Sequence, residues 1–180
     1  MVHLKSSLVA ASALLSLASA AVTGGDFDIL SINVAGLPPV LNGNGVPGDK
    51  TVNSRTIGSR LALYDYDIVH MQEGMHSLTP FLLRICETLT LTSASDFNYH
   101  AAIYETDDHP YRSATSGGIV FGSGLNTVSN FPWSDYVRIK WNTCNLNSGD
   151  CLTPKGFTFM RLQVSEGVSI DVYNLHTDAG

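Results

Sequence analysis

The sequence predicts an α/β fold of two mixed β-sheets packed as a sandwich, with helices on the outer faces. Three observations carry that reading. A strand-like run, Phe27 to Val34, leads through a loop and a helical stretch into a second strand-like run, Asp67 to Glu73; strand–helix–strand is the order of a parallel pair. Later, short alternating runs separated by polar turns read as antiparallel hairpins. About 160 residues follow the first twenty, enough for one domain with its own core.

The first twenty residues read as a secretory signal peptide. Lys5 is the positive start, Leu8 to Leu17 the apolar stretch and Ala18-Ser19-Ala20 the small-residue cleavage site. A membrane anchor is the competing reading, and the run is short for it. The expectation is a secreted, extracellular protein whose domain covers residues 24–180.

The first strand runs into Ala35-Gly36-Leu37-Pro38-Pro39 and a Gly/Asn/Pro-rich loop to Lys50. From Thr51 the period is helical, with Ile57 and Leu61 on one face and Arg55 and Arg60 outside. Tyr64-Asp65-Tyr66 ends that helix before the Asp67–Glu73 strand. Leu78 to Leu91 reads as a second helix, with Pro80 in its first turn. Phe97 to Tyr104 reads as a strand. An acidic, aromatic loop, Glu105 to Ser116, precedes a short strand at Gly117–Gly122. Tyr136–Trp141, Gly156–Val164 and Val168–His176 follow as strands, the last two joined by a Glu166-Gly167 turn.

Net charge is −6, from 16 acidic and 10 basic residues. That argues against a broad basic nucleic-acid surface, although a metal could supply positive charge locally. Cys144 and Cys151 bracket a short polar loop, and in an oxidising compartment a disulfide between them is expected, worth about 2–3 kcal/mol. Zinc is the rival, but no second Cys or His pair stands at ligand spacing. Cys86, in an apolar run, is most simply a buried free thiol.

Strand alternation places Val168, Ile170, Val172, Asn174 and His176 on one face, so two polar side chains emerge where an apolar face ends. Val69, Met71 and Glu73 share a face in the same way, as do Phe27, Ile29, Ser31 and Asn33. Strand exits of this kind are where pockets form on α/β folds.

In order along the chain, Ser31-Ile32-Asn33-Val34, Asp67 to Glu73, Ser116 to Val120, Lys155-Gly156-Phe157 and Asn174 to Asp178 resemble the N-terminal motifs of the endonuclease/exonuclease/phosphatase superfamily. That superfamily includes deoxyribonuclease-I-like nucleases and sphingomyelinase-type phospholipases C. The resemblance implies a magnesium (or manganese) ion held by Glu73 with Asn33, and a histidine, His176, that stabilises charge on the scissile phosphate. It implies Asp178 as an orienting partner and Asn174 as a substrate-binding residue. The reaction implied is attack of water on a phosphodiester or phosphomonoester. The substrate would be a lipid head group, a small phosphoester or a nucleic acid, and acidic net charge leans away from nucleic acid.

The family's later Asp-x-Asn and Ser-Asp-His motifs do not follow His176. Asp96-Phe97-Asn98 and Asp107-Asp108-His109 imitate them, but upstream, where Asp108 and His109 could serve only in a permuted topology. The expectation is therefore a monomeric chain truncated before its C-terminal motifs, with impaired or no turnover. A catalytically inactive secreted binding or effector protein on the same scaffold is the alternative.

Overall fold

The Asp67–Glu73 run becomes β2 (Ile68–Gln72), and all five of its residues are buried. A strand buried on both faces needs apolar partners on both. On one side Val69 and Met71 cluster with Leu61, Ile103 and Val128. On the other, Ile68 clusters with Met160, Leu162 and Val172. The first cluster lies under two helices and the second between two sheets, so β2 marks the middle of the layers.

The computed structural model describes residues 24–36, 45–74, 99–114, 122–144, 151 and 153–177. Within them the elements are β1 (Ile29–Asn33), α1 (Lys50–Tyr64), β2, α2 (Tyr99–Tyr104), β3 (Tyr111–Arg112), β4 (Asn126–Ser129), β5 (Trp133–Lys140), β6 (Gly156–Ser165) and β7 (Val168–His176). One sheet has the order β1-β2-β4-β3, and the other β5-β6-β7. β1 runs parallel to β2, whereas β4 is antiparallel to both β2 and β3. That sheet is mixed, as expected. The other is antiparallel in both its described pairings, because its strands follow one another through turns rather than crossovers.

Helix α1 begins where the side chain of Asp49 accepts hydrogen bonds from the backbone N–H groups of Thr51 and Val52. It ends at Asp65, left-handed at φ 48°, whose N–H bonds the Leu61 carbonyl. Gly58 allows α2 to approach: a Cβ there would lie 2.1 Å from the Ile103 carbonyl oxygen.

Helix α2 corrects the strand expected over Phe97–Tyr104. Its buried residues are Tyr99, Ala102 and Ile103, spaced at i, i+3 and i+4. The same letters also alternate as a strand would, and docking on α1 decides for the helix. The hairpin strands β5, β6 and β7 form as expected, with Gly167 left-handed in the β6–β7 turn. The predicted helix at Leu78–Leu91, the strand expected at Gly117–Gly122 save its last residue, Cys86, Asp178 and residues 1–20 lie outside the described residues.

The disulfide is present: Cys144 and Cys151 are bonded, with Cα atoms 5.1 Å apart. Towards the His176 end the outward face of the three-stranded sheet is apolar, and further along it Arg161 pairs with Asp171. Ile139, Phe157 and Leu175 align in one cross-strand row, and Val137, Phe159 and Tyr173 in the next. Val137, Ile139, Tyr173 and Leu175 are exposed.

Candidate functional site

Glu73 follows the last residue of β2 and is left-handed, at φ 57°. Strict alternation would send it to the helix side with Val69 and Met71. The left-handed residue breaks that alternation, a backbone state costing on the order of 1 kcal/mol or more for a non-glycine. Gly74 then takes the chain tightly past β4. Its N–H bonds the Gly124 carbonyl at 2.9 Å, and its carbonyl accepts from Asn126 Nδ2 at 2.9 Å. A Cβ at Gly74 would lie 2.6 Å from that nitrogen, so a side chain there would have to displace the Asn126 amide.

So placed, Glu73 is buried (9% exposed) and meets residues from both sheets. Its Oε1 accepts a hydrogen bond from Asn33 Nδ2 at 3.0 Å and lies 3.7 Å from His176 Nε2. Asn33, Glu73 and His176 therefore converge at one end of the sandwich, each at or just past the end of its strand.

Asn33 presents its amide nitrogen, not its oxygen, to Glu73. Its Oδ1 accepts from the Ala35 N–H at 2.8 Å, which fixes the orientation of the amide and makes the turn after β1. Asn33 thus orients the carboxylate through its nitrogen, while its oxygen keeps a second lone pair beyond the Ala35 bond.

Asn174 points between the sheets and not into a cleft. It is 2% exposed. Its Nδ2 donates to the carbonyls of Met71 (3.0 Å) and Asn126 (3.1 Å), and its Oδ1 accepts from Gln72 Nε2 (2.7 Å). Gln72 also reaches Ser31 Oγ at 3.2 Å. This corrects the expected substrate contact: with its amide engaged on both ends, Asn174 supports the site from below.

Two lysines complete the site. Lys155, 8% exposed, precedes β6 and places Nζ 3.2 Å from His176 Nε2 and 3.4 Å from Nδ1. Lys50, the first residue of α1 and 9% exposed, donates to the Ala35 carbonyl at 3.0 Å. Burial lowers the Lys50 pKa, while the Glu73 carboxylate acts to raise it. Trp141 Nε1 donates to the His176 carbonyl at 3.3 Å and pins the end of β7.

Neither lysine was singled out for a role from sequence, nor was Gln72 or Asn126. Lys155 stands in a motif and Gln72 directly precedes Glu73, so position was the available signal. Lys50 carried none, because a lysine entering a helix is ordinarily solvated.

Asp107, Asp108 and His109 form a second cluster, with potential ligand atoms within 4.8 Å of one another. His109 Nδ1 meets Asp107 Oδ1 at 2.5 Å and Nε2 meets the Tyr66 carbonyl at 2.6 Å. Two acceptors require two N–H donors, which leaves the ring without a lone pair for a metal. Burial depresses the His109 pKa, but the Asp107 carboxylate and the Tyr66 carbonyl together raise it. Tyr66 precedes β2 and Glu73 follows it, so this ion pair lies a strand length away, roughly 20 Å. Asp108 and His109 are thus apart from the converging residues.

A buried carboxylate is the donor a hard divalent cation takes, and Glu73 fits that requirement. The other described neighbours are two amines, an imidazole and an amide turned nitrogen-first, so Glu73 is the anchor any such ion would have.

No family model matches the chain. It is 31% identical over 163 residues to a sphingomyelinase of Mycobacterium bovis (strain ATCC BAA-935 / AF2122/97), an alignment covering 87% of this chain and 28% of that protein. The chain thus spans under a third of the length of the curated relative it matches. Beta toxin from Staphylococcus aureus, in a crystal structure with bound magnesium ions, superposes with a TM-score of 0.60 at 16% identity, over 85% of this chain and 50% of that one. An endonuclease/exonuclease/phosphatase family protein from Leptotrichia buccalis C-1013-b superposes with a TM-score of 0.51 at 15% identity, over 85% and 54%. The chain is thus similar in sequence to part of a sphingomyelinase and shares its fold with beta toxin and with an endonuclease/exonuclease/phosphatase family protein.

Proposed function

We propose that the protein is a secreted, magnesium-dependent phosphodiesterase acting on the phosphorylated head group of a sphingomyelin-type lipid. The observation that carries this reading is the meeting of Asn33, Glu73 and His176 at one strand end, from three separate parts of the chain. The mycobacterial relative's name supports the lipid, and the magnesium-bound beta toxin supports the ion. Residues 1–20 serve as the leader in this reading, and the mature domain acts as a monomer.

Glu73 would hold the ion, with Asn33 orienting its carboxylate. When bound, magnesium would neutralise charge on the phosphoryl oxygens. His176, beside Lys155, donates a hydrogen bond to a phosphoryl oxygen as negative charge builds there, and Asp178 orients it. Asn174 and Gln72 hold the ends of β2 and β7 in register, so that Glu73 and His176 stay within reach of one phosphate.

The test is release of phosphocholine from sphingomyelin vesicles by the secreted natural protein. Turnover should require magnesium and stop in EDTA. Metal-independent turnover, or none with any phosphoester, would remove the reading, and the latter result would favour an inactive binding protein on this scaffold.

A further inference from the structure

Glu73 is left-handed (φ 57°) at the point where its side chain must turn towards Asn33 and His176. A non-glycine residue keeps such a state only where its surroundings impose it. The next residue supplies the hold. Gly74 is fixed at both polar groups of its backbone: its N–H donates to the Gly124 carbonyl at 2.9 Å, and its carbonyl accepts from Asn126 Nδ2 at 2.9 Å. Of these two contacts, the second is made by a side chain and so depends on the residue type. We infer that Asn126 is a positioning residue for the site. By holding the Gly74 carbonyl it keeps Glu73 left-handed, with the carboxylate at Asn33 and His176.

Asn126 is itself well anchored. It is 2% exposed at the start of β4, its Cα pairs with that of Met71, and its carbonyl accepts from Asn174 Nδ2 at 3.1 Å. Its side chain is satisfied on one side only. Oδ1 is buried and, among the described residues, finds no hydrogen-bond donor, an arrangement that lowers stability wherever it occurs. Turning the amide over would not relieve it, since Oδ1 would then face the Gly74 carbonyl, acceptor against acceptor. A leucine of similar shape would remove the orphaned oxygen, but it could not donate to Gly74. An unmatched buried acceptor retained beside one well-placed donor points to a contact that serves the site, where the fold alone would do as well without it. This inference rests on the phosphoesterase reading and adds to it the residue that aims the metal-binding carboxylate.

The experiment compares Asn126→Leu and Asn126→Ser with the parent protein by calorimetric titration of magnesium and by thermal melting. Leucine keeps the shape and loses the donor, and serine withdraws its donor from the Gly74 carbonyl. Both variants should bind magnesium about ten-fold more weakly, with melting temperatures within about 2–4 °C of the parent. Gly74→Ala tests the same contact from the other side, because its Cβ would meet Asn126 Nδ2 at 2.6 Å. It should weaken magnesium similarly and add little in the presence of Asn126→Ser, since both changes break one contact. Unchanged magnesium affinity in the Asn126 variants would overturn the inference, and so would effects of Gly74→Ala and Asn126→Ser that simply add. A structural role alone would lower the melting temperature and leave magnesium affinity as it was. Should the leucine variant fail to fold, the serine variant and its pairing with Gly74→Ala carry the test. Glu73→Gln, titrated in parallel, separates two failures. Magnesium lost there but unchanged in the Asn126 variants sinks only this inference, whereas a parent protein that binds no magnesium sinks the phosphoesterase reading as well.

Discussion

Gln72 and Asn174 lie on strands of different sheets and meet amide to amide, Nε2 of one donating to Oδ1 of the other at 2.7 Å. Each stands next to a strand exit that the site uses: Gln72 precedes Glu73, and Asn174 lies two residues before His176. Asn174 also satisfies the backbone carbonyls of Met71 and Asn126. The pair therefore joins the sheets at the point where site residues leave them.

Asn174→Ala should leave Gln72 and two buried carbonyls without their partner, at a cost of about 2–4 kcal/mol. Urea unfolding measures that loss. A change below about 0.5 kcal/mol would mean that water replaces the amide and that the network does not hold the sheets together.

Glu73→Gln keeps side-chain size and can still accept from Asn33, but removes the charge. Magnesium affinity, read by calorimetry, should be lost, while the melting temperature moves by no more than about 2–4 °C. His176→Ala should leave magnesium binding largely intact and reduce turnover at least about 100-fold. Equal loss of magnesium binding in both variants would make His176 a ligand and not a charge stabiliser.

Much of this arrangement was legible in the sequence, for identifiable reasons. Apolar alternation ending in Asn33, Glu73 and His176 marks strand exits, and β1, β2 and β7 form within a few residues of where that pattern puts them. The Asn174 role was not legible, because alternation tells which face a residue takes and not whether the opposite sheet closes over it. Glu73 joins His176 only through a left-handed residue, which no local pattern announces. The stretch ending at Tyr104 fits both periods, and only the approach of α1 at Gly58 makes it a helix. Lys50 gained its place from the Ala35 turn, a contact between residues fifteen positions apart in the chain.

Two buried histidines should give stability opposite pH limbs. Burial lowers the His70 pKa from 6.5 to about 4. A depressed folded value means that the unfolded chain takes up the proton first. The stabilisation is then full above pH 6.5 and falls by about 3 kcal/mol as pH drops towards 4. His109 has a raised folded pKa, so its pair with Asp107 stabilises below pH 6.5 and loses that contribution as pH rises through the folded value. Urea unfolding at several pH values should show His70→Gln flattening the acid limb and His109→Gln flattening the alkaline one. Unchanged profiles in both variants would assign the pH dependence to other groups.

The Cys144–Cys151 disulfide closes a short loop four residues ahead of Lys155. Cross-linking acts mainly by restricting the unfolded chain, and a loop of this length gives about 2–3 kcal/mol. Replacing both cysteines by serine should lower stability by that amount in chemical denaturation. Glu73 is carried by the other sheet, so magnesium affinity should be unchanged. Turnover is the sensitive readout, because Lys155, beside His176, stands four residues past Cys151. A double serine variant as stable as the parent would mean that the loop is already closed by its own contacts. A fall in turnover at unchanged magnesium affinity would show that the disulfide also positions Lys155 beside His176.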